Sequence, residues 1–88
     1  MTQVALVTGG TRGIGAAISI ALKNAGYTVA ANYAGNDDAA AAFSAETGIA
    51  TYKWSVADYD ACTLGVKLVE ADLGPVAVLI NNAGITRD

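Results

Sequence analysis

A short apolar run, Val4-Ala5-Leu6-Val7, passes through Thr8 and breaks at once into Gly9-Gly10-Thr11-Arg12-Gly13-Ile14-Gly15, after which a helical pattern takes over. No other feature limits the fold of this chain as strongly. Glycine lets a main chain turn tightly and lets another group approach the backbone without a Cβ in the way. A helix that starts behind such a turn presents unpaired N–H groups and the positive end of its dipole, which suits a phosphate or pyrophosphate. The spacing Gly9-x-x-x-Gly13-x-Gly15 differs from the G-x-G-x-x-G fingerprint that opens many dinucleotide-binding turns. Alone, it is compatible with a plain turn. A second motif at the far end of the chain, Leu79-Ile80-Asn81-Asn82-Ala83-Gly84, argues against so bland a reading.

Between the two motifs, strand and helix patterns alternate. Val4 to Val7 reads as a strand buried on both faces, and Ile14, Ile18, Ala21, Leu22 and Ala25 recur at helical spacing up to a stop at Gly26. Tyr27 to Tyr33 reads as the second strand, and Asn36, Asp37 and Asp38 cap a helix over Ala39 to Glu46. Ala50, Tyr52, Trp54 and Val56 alternate within a third strand over Ile49 to Val56. Cys62, Val66, Val69 and Leu73 form one face of a helix ended by Gly74 and Pro75, and Val76 to Ile80 is the fourth strand. The expectation is an α/β, Rossmann-type doubly wound parallel sheet, its first four strands ordered 3-2-1-4 with three crossover helices. That order brings both motifs to the carboxyl ends of the strands flanking the switch point.

The chain has 88 residues, short for such a sheet, so residues 1–88 read as the amino-terminal part of a single nucleotide-binding domain whose remainder lies beyond. With 53% hydrophobic and 15% charged residues it is no disordered tail. A net charge of −3 without a basic stripe argues against a nucleic-acid partner. Cys62 is the one cysteine and histidine is missing, which leaves no disulfide framework, zinc site or histidine-based triad and fits a reducing cytoplasm. Met1-Thr2-Gln3 lacks a basic n-region and the apolar run after it ends at Gly9, so neither a secretory signal nor a membrane span is expected in this stretch.

Thr8-Gly9-x-x-x-Gly13-x-Gly15 together with Asn81-Asn82-Ala83-Gly84 resembles the short-chain dehydrogenase/reductase family, over the whole chain. Within that family, Tyr52 to Val56, Glu70 to Val76 and Asn82 to Asp88 are similar to the bacterial acetoacetyl-CoA reductases. The 3-oxoacyl-carrier-protein reductases share only the first glycine segment and the last of these. The resemblance implies that Gly9, Arg12, Gly13, Ile14 and Gly15 bind the pyrophosphate and adenosine side of a nicotinamide cofactor. It places Ser55 and Val56 at adenine, Asn82, Ala83 and Gly84 beside the adenosine ribose, and Ile85 and Thr86 toward nicotinamide, with Asp88 near an acyl-CoA thioester substrate. It further implies NADPH-dependent reduction of acetoacetyl-CoA to 3-hydroxybutyryl-CoA for polyhydroxybutyrate synthesis, by a cytoplasmic homotetramer. The family's serine, Tyr-x-x-x-Lys pair and helix asparagine are expected beyond Asp88, so these residues alone hold no catalytic group. Two positions depart from the pattern: Ser55 and Ala77 stand where aspartate is common.

Other residues carry both a functional and a plainer reading. Asn32, Tyr33 and Ala34 end the second strand without the acid that pairs with an NAD ribose, and Arg12 can reach a 2′-phosphate, so NADP is expected over NAD. Asp37 and Asp38 read as helix caps, Asp58, Asp60 and Asp72 as caps and solvated surface, Tyr52 and Trp54 as packing, and Cys62 as an inert core thiol. Three functional classes stay open: a thioester reductase for CoA or carrier-protein substrates, a non-catalytic NADP-binding sensor, and, less well matched, a P-loop NTPase. The last would need a Gly-Lys-Ser/Thr after the loop.

Overall fold

The computed structural model describes residues 2–83. Strand β1 (Val4–Val7) leads through the glycine turn to helix α1 (Gly13–Asn24). Then follow β2 (Thr28–Tyr33), α2 (Asp37–Thr47), β3 (Ala50–Lys53), α3 (Tyr59–Leu73) and β4 (Val76–Ile80). The strands form one parallel sheet in the order β3-β2-β1-β4, the doubly wound order expected from the pattern. Val7 lies level with Ala31 of β2 and Ile80 of β4, so β1 and β4 end together while β2 runs two residues further, to Tyr33. The two motifs therefore emerge side by side.

Burial is continuous along β1 and over Val29 to Asn32 of β2, because the sheet is covered on both faces there, whereas β4 alternates between half-buried and exposed positions. Val4, Leu6 and Ala30 face α3 and pack with Trp54 and Val69, and the apolar stripe Cys62, Val66, Leu73 lies against them. Val7, Val29 and Ala31 face the other way, where Phe43 and Ile49 close the layer beneath Ile18 and Leu22 of α1. Every residue of β1 is buried, as befits the central strand. Helix α3 starts at Asp58, whose carboxylate accepts from Ala61 N–H at 3.0 Å, and α2 starts at Asn36, whose side chain accepts from Ala39 N–H at 3.0 Å. Among the described residues no helix is long and apolar enough to cross a membrane.

Several expectations are corrected by particular bonds. The third strand ends at Lys53, not Val56, because the Trp54 carbonyl is taken by the Asn32 side chain at 3.0 Å and Ser55 opens a turn whose carbonyl accepts from Asp58 N–H. Ile49 precedes the strand and is core. Ile14 is not on the core face of α1: it is 66% exposed, and buried Gly15 and Ser19, with Ile18 and Leu22, take that side. Asp72 accepts the Tyr52 hydroxyl at 2.9 Å. Asp37 and Asp38 lie inside the first turn of α2, whose cap is Asn36, and Asp37 instead holds Tyr33 and Lys53.

Candidate nucleotide-binding site

Thr8 fastens the two motifs together. Its backbone N–H donates to the Ile80 carbonyl at 3.0 Å, and its Oγ1 accepts from Ala83 N–H at 3.0 Å and lies 3.3 Å from Asn81 Oδ1. One residue on, Gly9 takes φ +61°, and both sides of it are held by buried amides. Asn32 Oδ1 accepts its N–H at 3.2 Å, and Asn82 Nδ2 donates to its carbonyl at 3.2 Å. Ser19, fully buried on α1, donates to the Gly10 carbonyl at 3.0 Å and draws the helix onto the turn. At Gly15 a Cβ would collide with the Gly9 carbonyl and with Asn82 Nδ2, so only glycine permits this approach of helix to turn.

The result is an exposed helix start with nothing spent on capping it. Arg12, the residue before α1, is extended and makes no side-chain cap bond, and no acid lies in the first turn. The first intrahelical bond that closes this end runs from Ala16 N–H to the Arg12 carbonyl. Helix geometry therefore leaves the N–H groups of Gly13, Ile14 and Gly15 without intrahelical acceptors, at the positive end of the dipole. A pyrophosphate fits that vacancy of acceptors.

These groups open on a cleft of about 550 Å3. Its lining includes Gly9, Arg12, Gly13, Ile14 and Gly15 from the turn and α1, Asn82 and Ala83 after β4, Tyr33 to Asn36 at the end of β2, and Trp54 and Val56 after β3. Of the residues expected at the cofactor, Ser55 is not among the lining: its Oγ accepts from Ala57 N–H at 3.3 Å within its own turn. Gly84, Ile85, Thr86 and Asp88 fall outside the described residues. Asn32, expected only to mark the missing acid at the end of β2, is 1% exposed, and Trp54, expected as packing, rests its ring on Gly65 of α3 and is also among the residues that line the cleft. A polar residue inside the apolar run of β2 was the available signal.

The charges at the rim are arranged unequally. Lys53 Nζ lies 3.1 and 3.3 Å from the two Asp37 oxygens, and Tyr33 donates to Asp37 at 3.1 Å. The Lys53 bond, with the Tyr33 bond second, holds Asp37 below the usual carboxylate range. Desolvation, then the bond to Asp37, pushes the Tyr33 hydroxyl up. Arg12 lines the cleft, whereas neither Asp37 nor Lys53 does. Among the described residues no cluster of His, Cys, Asp or Glu is gathered for a metal.

A model of the short chain dehydrogenase family matches residues 3–88. The chain belongs to this family. Among short-chain dehydrogenases of known name, the whole chain is 81% identical to an acetoacetyl-CoA reductase of Paracoccus denitrificans and 69% identical to one of Rhizobium meliloti. It spans 36% of the length of each. It is 45% identical to a 3-oxoacyl-[acyl-carrier-protein] reductase of Staphylococcus aureus, of which it spans 38%. A Serratia marcescens short-chain dehydrogenase/reductase superposes with a TM-score of 0.88 at 36% identity, over 97% of this chain and 37% of that one. The Rossmann-type fold is thus shared with solved members of the family.

Proposed function

We propose that this chain is the nucleotide-binding part of an NADPH-dependent oxidoreductase that converts acetoacetyl-CoA to 3-hydroxybutyryl-CoA, a step that supplies polyhydroxybutyrate synthesis. The observation that carries the cofactor half is the uncapped start of α1 facing the cleft, with Arg12 beside it. The substrate half rests on the 81% identity to a protein named acetoacetyl-CoA reductase.

When bound, the nicotinamide supplies hydride to the ketone carbon. The residues of this chain bind and orient. Gly13, Ile14 and Gly15 offer backbone N–H groups to the pyrophosphate, and Ile14 and Val56, both exposed, offer apolar surface to the adenosine half. Arg12 would meet the 2′-phosphate of NADPH with a charge-assisted bond, while Tyr33 and Ala34, which line the cleft, bring no carboxylate to repel it. By the family resemblance Asn82, Ala83 and Gly84 would flank the adenosine ribose, and Ile85 and Thr86 would serve the nicotinamide half. The same resemblance would assign Asp88 to the thioester substrate and Ser55 to the adenine edge. The proton donor and the groups that orient the carbonyl belong to residues beyond these, in a cytoplasmic homotetramer.

The test is steady-state kinetics on the full-length protein with both nucleotides and both thioesters. A higher kcat/KM with NADPH than NADH, and with acetoacetyl-CoA than acetoacetyl-carrier-protein, is expected. Arg12→Ala should cost about 1.5 to 3 kcal/mol in NADPH binding and leave NADH nearly untouched. Equal use of the two nucleotides refutes the cofactor assignment, and preference for the carrier-protein thioester favours the fatty-acid reductase reading.

A further inference from the structure

We propose that Asn32 is the positioning residue that ties the pyrophosphate turn to the wall of the adenosine cleft, a role that rests on the dinucleotide reading above. Asn32 sits next to the end of β2 and is 1% exposed, a place where a polar side chain persists only if its groups are bonded. Its bonds run to two different segments. Oδ1 accepts from Gly9 N–H at 3.2 Å and the main-chain carbonyl accepts from Gly10 N–H at 2.9 Å, both in the turn after β1. Nδ2 donates to the Trp54 carbonyl at 3.0 Å, after β3, where the cleft gains Trp54 and Val56.

An amide suits this place better than an acid or a hydroxyl. Accepting from Gly9 and donating to Trp54 at once requires an acceptor and a donor on one short planar group. A carboxylate has no proton for the Trp54 carbonyl and would set a negative charge beside the pyrophosphate site. With Asn82 on the Gly9 carbonyl, the Gly9 main chain is gripped from β2 and from β4, the two strands that flank β1. The turn is thereby fixed before ligand arrives, and the N–H groups of Gly13 to Gly15 are aimed without cost at binding. Since Asn32 acts on the part of the cofactor common to NADPH and NADH, it sets affinity for both and preference for neither.

The experiment compares the full-length protein with Asn32→Ser and with Ser44→Ala. Ser44 on α2 donates to the carbonyl of Ile49, which precedes β3 at the end of the strand away from the turn, and serves as a control for lost stability. Asn32→Ser should raise KM for NADPH and for NADH by the same factor, about tenfold, with kcat and KM for the thioester unchanged. Ser44→Ala should leave all of them unchanged. An unchanged nucleotide KM in Asn32→Ser, or an equal rise in Ser44→Ala, overturns the proposal. Should Asn32→Ser fail to fold, amide hydrogen exchange in the unaltered, nucleotide-free protein decides: slow exchange at Gly9 against fast exchange at Gly13 supports it, and equally fast exchange overturns it. An unaltered protein that binds neither nucleotide overturns the dinucleotide reading and this proposal with it. One that binds both while Asn32→Ser binds them as well overturns this proposal alone.

Discussion

Gly65 lies in the middle of α3, where alanine would ordinarily strengthen a helix by about 1 kcal/mol. Here the sign should reverse. A Cβ at Gly65 would run into three carbons of the Trp54 ring, which is 8% exposed and boxed in by Val4, Leu6, Ala30 and Val69. Overpacking a closed core costs about 1 to 3 kcal/mol, and a ring with no room to retreat belongs at the upper end. Subtracting the helix gain leaves Gly65→Ala destabilising by about 2 kcal/mol, or a drop in Tm of roughly 4 to 8 °C for a domain of roughly 150 to 250 residues. Trp54→Leu is costly in its own right, yet in that background Gly65→Ala should stabilise, by about 1 kcal/mol. The two changes are therefore coupled by about 3 kcal/mol. Thermal unfolding of the four full-length proteins measures this directly. If Gly65→Ala raises Tm in the unaltered background, or costs the same in both, then Trp54 does not rest on Gly65 and the packing argument is wrong.

Two pH effects follow from the surface bonds. Asp37 has its pKa lowered by Lys53 and then Tyr33, so its contribution is present above the ordinary carboxylate value and is lost as pH falls through the lowered one. Comparing Tm against pH for the full-length protein and Asp37→Asn should show a loss below pH about 4 in the first that the second lacks. Tyr52 is pushed up to about 12, first by desolvation and then by its bond to Asp72. Its raised value means that stability is present below pH about 10 and drains away as pH climbs toward 12, a decline that Tyr52→Phe should lack; tyrosinate absorbance should place the titration.

Sequence and structure agree where the information is local. Four apolar runs, Gly26, Asp58 and the stripe Cys62, Val66, Val69, Leu73 each specify their element within a few residues, and alternation of strand with helix then fixes the parallel order. The glycine turn was equally readable, because Gly13 and Gly15 announce a strand-to-helix junction by spacing alone. What escaped depends on register. Asn32 looks like the polar end of an apolar strand until Gly9 and Trp54 are set beside it, and that requires β1, β2 and β3 in their places. Ile14 fits the helical period but belongs to the cleft, since the first turn of α1 projects past the end of the sheet. Ser55 accepts from Ala57 N–H within its own turn, a bond that spacing does not reveal.

The grip on Gly9 also orders events in time. Its carbonyl is held from Asn82, 73 positions further along the chain, and Thr8 is fastened to Ala83 across a similar separation. A growing polypeptide can pair β1 with β2 early, but the turn between β1 and α1 has its full set of bonds only once β4 has been made and has docked. Closing so long a loop is entropically expensive and slow compared with forming the helices. Dinucleotide present during synthesis would meet a binding surface that is unfinished until then. It would thereafter favour the assembled sheet by mass action, acting as a latch on the slowest pairing.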